Sequence, residues 1–102
     1  MSSHPVTQLD DTVHQRVRLG ILTILATAGR ADFTYLRDTL ELTDGNLGRH
    51  LDVLYDAGYV EITKTFEGRR PRTWVTITKG GRTALTGHIA ALRQMIDAVP
   101  DK

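Results

Sequence analysis

The residues best equipped for chemistry in this chain are cationic or amide-bearing, and they fall in two short runs. The first is Asp44-Gly45-Asn46-Leu47-Gly48-Arg49-His50. A guanidinium such as that of Arg49 matches the O6/N7 pair of guanine, and the Asn46 amide matches adenine; either can instead hold a phosphate. His50 can face the same ligand or turn its ring onto the preceding helix. Asp44 would repel phosphate; it suits the positive end of a helix, or it can accept from a cytosine amine. The second run is Arg69-Arg70-Pro71-Arg72, three arginines around a rigid proline, with Lys64 upstream as a secondary phosphate contact. Such a cationic finger fits a phosphate backbone or a narrow minor groove.

Other chemistries lack their residues. There is no cysteine, so no thiolate metal site or disulfide frame is expected. The four histidines (His4, His14, His50 and His88) show no i, i+4 ligand spacing. No glycine-rich phosphate loop, H-E-x-x-H or G-x-S-x-G run occurs. The expectation is a protein that is not an enzyme and needs no metal or cofactor. At 102 residues the chain is one domain with a modest core. The first eleven residues have neither a basic nor an apolar region of a signal peptide, and no apolar run approaches a membrane span, so a cytoplasmic protein is expected. The net charge of +1 conceals an asymmetry. Residues 1–61 hold five arginines and nine acids, whereas residues 62–102 hold eight basic residues and three acids. A one-signed cluster on a nearly neutral chain is a local electrostatic footprint.

The elements that must position these residues follow from periodicity. Residues 1–9 have no apolar period and read as a flexible arm, and 100–102 as a tail, leaving 10–99 as the folded unit. Apolar positions 13, 17, 21, 24, 25 and 28 trace one helical face, with Asp10, Asp11 and Thr12 as cap candidates and Gly29 to end it. Ala31-Asp32-Phe33 suits a small strand, and Thr34 can cap a helix over 35–40. Thr43 can cap a helix over 44–57 whose inner face is Leu47, Leu51 and Leu54, closed by Gly58. Gly45 and Gly48 are poor helix formers near its start, which fits either a frayed end or a backbone that something approaches closely. Residues 59–66 and 72–77 are β-branched and aromatic and read as a hairpin joined through 67–71. Thr78 can cap a final helix to about Val99. The predicted class is α+β, mostly α, in the order α-(β)-α-α-β-β-α: a winged helix-turn-helix with a long C-terminal helix. The apolar face Leu47/Leu51/Leu54 then holds a recognition helix whose small and polar side enters a major groove.

The ordered set Asp44-Gly45-Asn46-Leu47-Gly48-Arg49-His50-Leu51, Leu54, Ala57-Gly58-Tyr59-Val60, Phe66 to Thr73, Ile77-Thr78 and Gly81 to Leu85 resembles the short, stand-alone winged helix DNA-binding regulators of the MarR/ArsR type. The resemblance spans roughly residues 10–96. It implies a dimeric, sequence-specific regulator of transcription, with Asn46, Gly48, Arg49 and His50 at DNA-facing helix positions and Arg69, Arg70 and Arg72 in the wing. The chain departs from metal-sensing ArsR members in having no cysteine. It also offers little room for the effector pocket that extra helices build in full-length MarR proteins.

Leu85, Ile89, Leu92, Ile96 and Val99 alternate spacings of four and three, an a/d seam. The alternatives are a fold back onto the first helix within one chain, or a homodimer through the C-terminal and first helices, which is the expectation taken. A two-fold dimer places its recognition helices about 34 Å apart on a palindromic site. The expected partner is therefore double-stranded DNA, and the expected mode is repression by promoter occlusion. A winged-helix protein–protein adaptor is the competing reading; double-stranded RNA fits less well, because its major groove is too narrow for a helix.

Overall fold

The computed structural model describes residues 4–101. Residues 1–3 of the expected arm and residue 102 of the expected tail lie outside that range. The order is a short 3₁₀ helix (Pro5–Gln8), α1 (Arg16–Ala28), β1 (Arg30–Asp32), α2 (Phe33–Thr39), α3 (Asp44–Asp56), β2 (Val60–Glu67), β3 (Arg70–Ile77) and α4 (Lys79–Ala98). The three strands form one antiparallel sheet in the order β1-β3-β2.

Local chemistry sets the boundaries. Asp10 was expected to cap the first helix, but its Oδ1 accepts from the N–H groups of Thr12 and Val13 and builds a turn instead. The helix starts later, where the Gln15 amide oxygen accepts from Val17 and Arg18 N–H at 2.9 Å. Val13 is fully buried from that turn, so its spacing to Val17 mimicked a helical one. Likewise Asp32, rather than Thr34, caps α2 by accepting from Tyr35 N–H at 2.7 Å. Thr43 and Thr78 cap α3 and α4 as their positions predict.

The helix-turn-helix is held by paired C-terminal closures. At the end of α2, Glu41 N–H bonds to Asp38 C=O and Leu42 N–H to Arg37 C=O; at the end of α3, Gly58 N–H bonds to Tyr55 C=O and Tyr59 N–H to Leu54 C=O. Both are Schellman closures needing a left-handed residue. Gly58 supplies it at φ 81°, whereas Glu41 adopts φ 56° despite its side chain. Between these closures α3 lays Leu47, Leu51 and Leu54 on a core completed by Val17, Ile21, Leu22, Leu25, Leu36, Val60, Val75 and Leu85.

The hairpin is longer and tighter than its sequence suggested. β2 and β3 pair continuously from Val60↔Ile77 to Glu67↔Arg70, leaving a two-residue turn, Gly68-Arg69. Positive φ at Gly68 (65°), the first central residue, and not at Arg69, is the pattern of a type II′ turn. Pro71 does not break β3, because β1 pairs only with Trp74–Thr76 and leaves Pro71 without a ladder partner on that side.

Within the expected arm, residues 5–8 are helical. Their 3₁₀ helix packs against α4, and the following segment is pinned there by polar bonds. The His88 ring is buried, and its Nδ1 accepts from Asp10 N–H at 3.1 Å. That fixes the tautomer: Nε2 carries the proton and donates to His14 Nδ1, 3.1 Å away. Tyr59 Oη donates to Asp10 Oδ2 at 2.6 Å. The seam predicted on α4 is divided by this packing. Leu85 is 4% exposed inside the chain's own core, which removes it from the partner-facing set. Ile89 and Leu92 are half-buried, while Ile96 and Val99 stand 68% and 67% exposed.

Candidate nucleic-acid interface

The outward side of α3 carries Gly45, Asn46, Arg49, Asp52, Val53 and Asp56, all exposed, opposite buried Leu47, Leu51 and Leu54. Helical spacing makes this one stripe. Its first two turns are small, amide-bearing or cationic; its last two contain the acids Asp52 and Asp56. Any polyanion that meets α3 therefore meets its N-terminal half. Asp52 and Val53 extend this stripe beyond the residues expected from sequence, on the same helical period.

Within that half the side chains are partly pre-arranged. Arg49 Nη2 donates to Asn46 Oδ1 at 3.3 Å, which sets the two groups side by side. Arg37 draws Asp44 away from the stripe with an ion pair of 2.8 Å, and its Nε holds Asp38 at 3.0 Å. His50 is half-buried and turned toward α1, where its Nδ1 accepts from Arg18 Nη1 at 3.2 Å. Burial, and then the charges of Arg18 and Arg49, push the His50 pKa below its ordinary value, so the ring favours its neutral form. Arg18 is anchored in turn by its Nε bond to Thr12 C=O.

Neither glycine near the start of α3 is required by the fold. Gly45 and Gly48 lie in ordinary helical conformation, and a methyl at either would meet nothing within 4 Å.

In the wing the three arginines divide. Arg72 is the base of the hairpin's attachment. Its Nε and Nη2 donate to Asp32 Oδ2 at 2.8 and 2.7 Å, and Nη1 pairs with Glu67. Its guanidinium also stacks on Trp74, 4.3 Å from the ring centroid, with Arg30 at 3.9 Å on the same ring. The Tyr35 N–H, and then the Arg72 guanidinium, hold the Asp32 carboxyl below its usual range against partial burial. Asp32 thus caps α2 and grips the wing at once. The predicted three-arginine finger becomes two: Arg69 in the turn and Arg70 beside it are exposed, as is Lys64. Among the described residues, none of these three, nor Arg49, takes part in an ion pair. The role of Asp32 was invisible to sequence reading, because its partner lies forty residues away.

Wing and helix adjoin. An open cleft of about 240 Å³ is lined by Asp32, Phe33, Arg37 and Asp44 on one wall and Pro71 and Thr73 on the other. The start of α3 and the hairpin therefore border one cleft, whose charged lining is Asp32, Asp44 and the paired Arg37 and Arg72. Among the described residues, no group of three histidine, aspartate or glutamate side chains converges as a metal site would require. No described helix is long and apolar enough to cross a membrane.

This architecture is a winged helix-turn-helix, the fold class of DNA-binding regulators rather than of enzymes. Residues 17–96 match the model of the winged helix DNA-binding domain family, and the chain belongs to that family. It is 39% identical over 79 residues to an uncharacterized protein of Methanocaldococcus jannaschii, covering 78% of this chain and 86% of that one. The structure of a transcriptional regulator homologue from Pyrococcus horikoshii OT3 superposes with a TM-score of 0.86 at 32% identity, over 93% of this chain and 96% of that one. A mutant MarR from E. coli complexed with operator DNA shares the fold at a TM-score of 0.61 and 22% identity, over 80% of this chain and 61% of that one.

Proposed function

We propose that this protein is a homodimeric, sequence-specific regulator of transcription that acts as a repressor on a palindromic DNA site. One observation carries the reading. Four cations without an ion-pair partner, Arg49, Lys64, Arg69 and Arg70, lie on the two elements that a winged helix offers to a duplex. Asn46 and Arg49 read base edges in the major groove, and Gly45 and Gly48 let the start of α3 come close. His50 acts from behind by holding Arg18, and Asp44 orients α3 through Arg37. Arg69, Arg70 and Lys64 hold phosphates or the minor groove, while Arg72 keeps the wing in place. The exposed end of α4, with Ile96 and Val99 and the half-buried Ile89 and Leu92, supports pairing with a second copy. Occlusion of a promoter by the bound dimer is the proposed mode of repression.

The test is a titration of labelled duplex from upstream of the protein's own gene, beside random duplex of equal length. Preference for the upstream duplex, removed by Arg49→Ala, is the expected result. Equal binding of both duplexes would contradict specificity at that site. No binding of either at low salt would reject the DNA reading in favour of a protein-binding adaptor.

A further inference from the structure

The wing carries an apolar group that the fold does not use. Phe66 is 72% exposed, the most exposed large apolar side chain described. Strand alternation places it on the same sheet face as Ile62 and Lys64 of β2 and, across the ladder, Pro71 and Thr73 of β3. Further down, this face buries Val60 and Val75 in the core. Toward the tip it overhangs, and Lys64 and Phe66 lie beyond any cover from their own chain. Pro71 and Thr73 share the cleft with Asp44 at the start of α3. The overhanging face thus lies beside the start of the recognition helix.

The surroundings of the ring define its partner. Lys64 is two residues before it, Arg69 lies in the adjoining turn and Arg70 opens β3; Glu67, the acid next to the ring in sequence, is already paired with Arg72, and Asp32 and Asp44 across the cleft are paired with Arg72 and Arg37. A phenyl ring bordered by free cations matches a polyanion that also offers apolar surface. The minor groove of DNA has that combination, with deoxyribose walls between two rows of phosphates, and apolar side chains there lean on sugars or wedge base steps. Resting on the DNA-binding reading above, we infer that Phe66 is the wing's apolar contact, seated against minor-groove sugars and base edges while Arg69 and Arg70 hold the flanking phosphates.

An apolar contact and a phosphate contact differ in their salt dependence. The experiment titrates the upstream duplex with wild type, Phe66→Ala, Phe66→Leu and Arg70→Ala at several salt concentrations. Thermal melts and sedimentation of each free variant accompany the titrations. Phe66→Ala is expected to weaken binding about tenfold at every salt concentration with the log–log slope unchanged, and Phe66→Leu to regain most of it. Arg70→Ala is expected to flatten the slope instead. If wild type binds and Phe66→Ala binds equally well, or loses affinity only by flattening the slope, the inference is overturned. It is also overturned if Phe66→Ala changes the oligomeric state, which would make the ring a subunit contact. If wild type binds no duplex, the DNA reading itself fails.

Discussion

Two helices in this molecule begin with a pair of glycines, and they use them in opposite ways. At the start of α4, a methyl on Gly81 would lie 2.2 Å from the Tyr59 carbonyl oxygen and 2.9 Å from Ile77 Cγ1. The helix can rest on the Tyr59 backbone, just before β2, only because that side chain is absent. At the start of α3, a methyl on Gly45 or Gly48 would meet nothing within 4 Å, yet glycine inside a helix costs about 0.5–1 kcal/mol relative to alanine. Glycine serves the fold in α4. In α3 it weakens the free protein with no internal return, which fits the close approach of DNA proposed above.

The contrast breaks most visibly at Gly81. Gly81→Ala forces backbone apart and should destabilise by about 3 kcal/mol, read as a loss of midpoint in urea. Gly45→Ala and Gly48→Ala should do the reverse. Each is expected to raise stability by about 0.5–1 kcal/mol while lowering affinity for the upstream duplex about tenfold. Alanine variants that stabilise and bind DNA unchanged would show these glycines to be only a frayed helix start. Gly80→Ala, whose methyl would sit an ordinary 3.6 Å from Gly58 O, should gain up to about 0.5–1 kcal/mol, as an unhindered helical Gly→Ala does, and so isolate the loss to Gly81.

A smaller effect links the same two helices through pH. Each has a histidine on its inward side, His50 on α3 and His88 on α4. Burial pushes both pKa values down; the Arg18 and Arg49 charges reinforce this at His50, and His14 at His88, where Asp10 opposes it. The unfolded chain then binds more protons than the native one below a pH of about 6.5. Stability should be complete above that pH and decline as the pH falls below it. Melting temperatures at neutral and mildly acid pH check the sign, and His88→Asn should flatten the dependence.

What could be read from sequence was local. The Thr43 cap, the Leu47/Leu51/Leu54 face and Gly58 determine α3 within a few residues of each other, and the β-branched run determines β2. What could not be read depended on distance along the chain. Asp32 and Arg72 meet only after the sheet forms, so a wing counted as three free arginines has two. Leu85 fits an intermolecular seam by spacing, but it is buried in the chain's own core. Pro71 suggests a longer turn until the shortness of β1 is known. The division of the charges, more than the fold, needed coordinates.

The most direct test of DNA binding by the start of α3 and the wing is the salt dependence of duplex affinity, compared with that of the Arg69→Ala/Arg70→Ala double variant. If the four unpaired cations of each protomer, Arg49 in the groove included, each neutralise one phosphate charge, a dimer has a log–log slope of about −7, and removing two per protomer should halve it to about −3.6. A wild-type slope near zero, or a double variant with the full slope, would contradict the assignment.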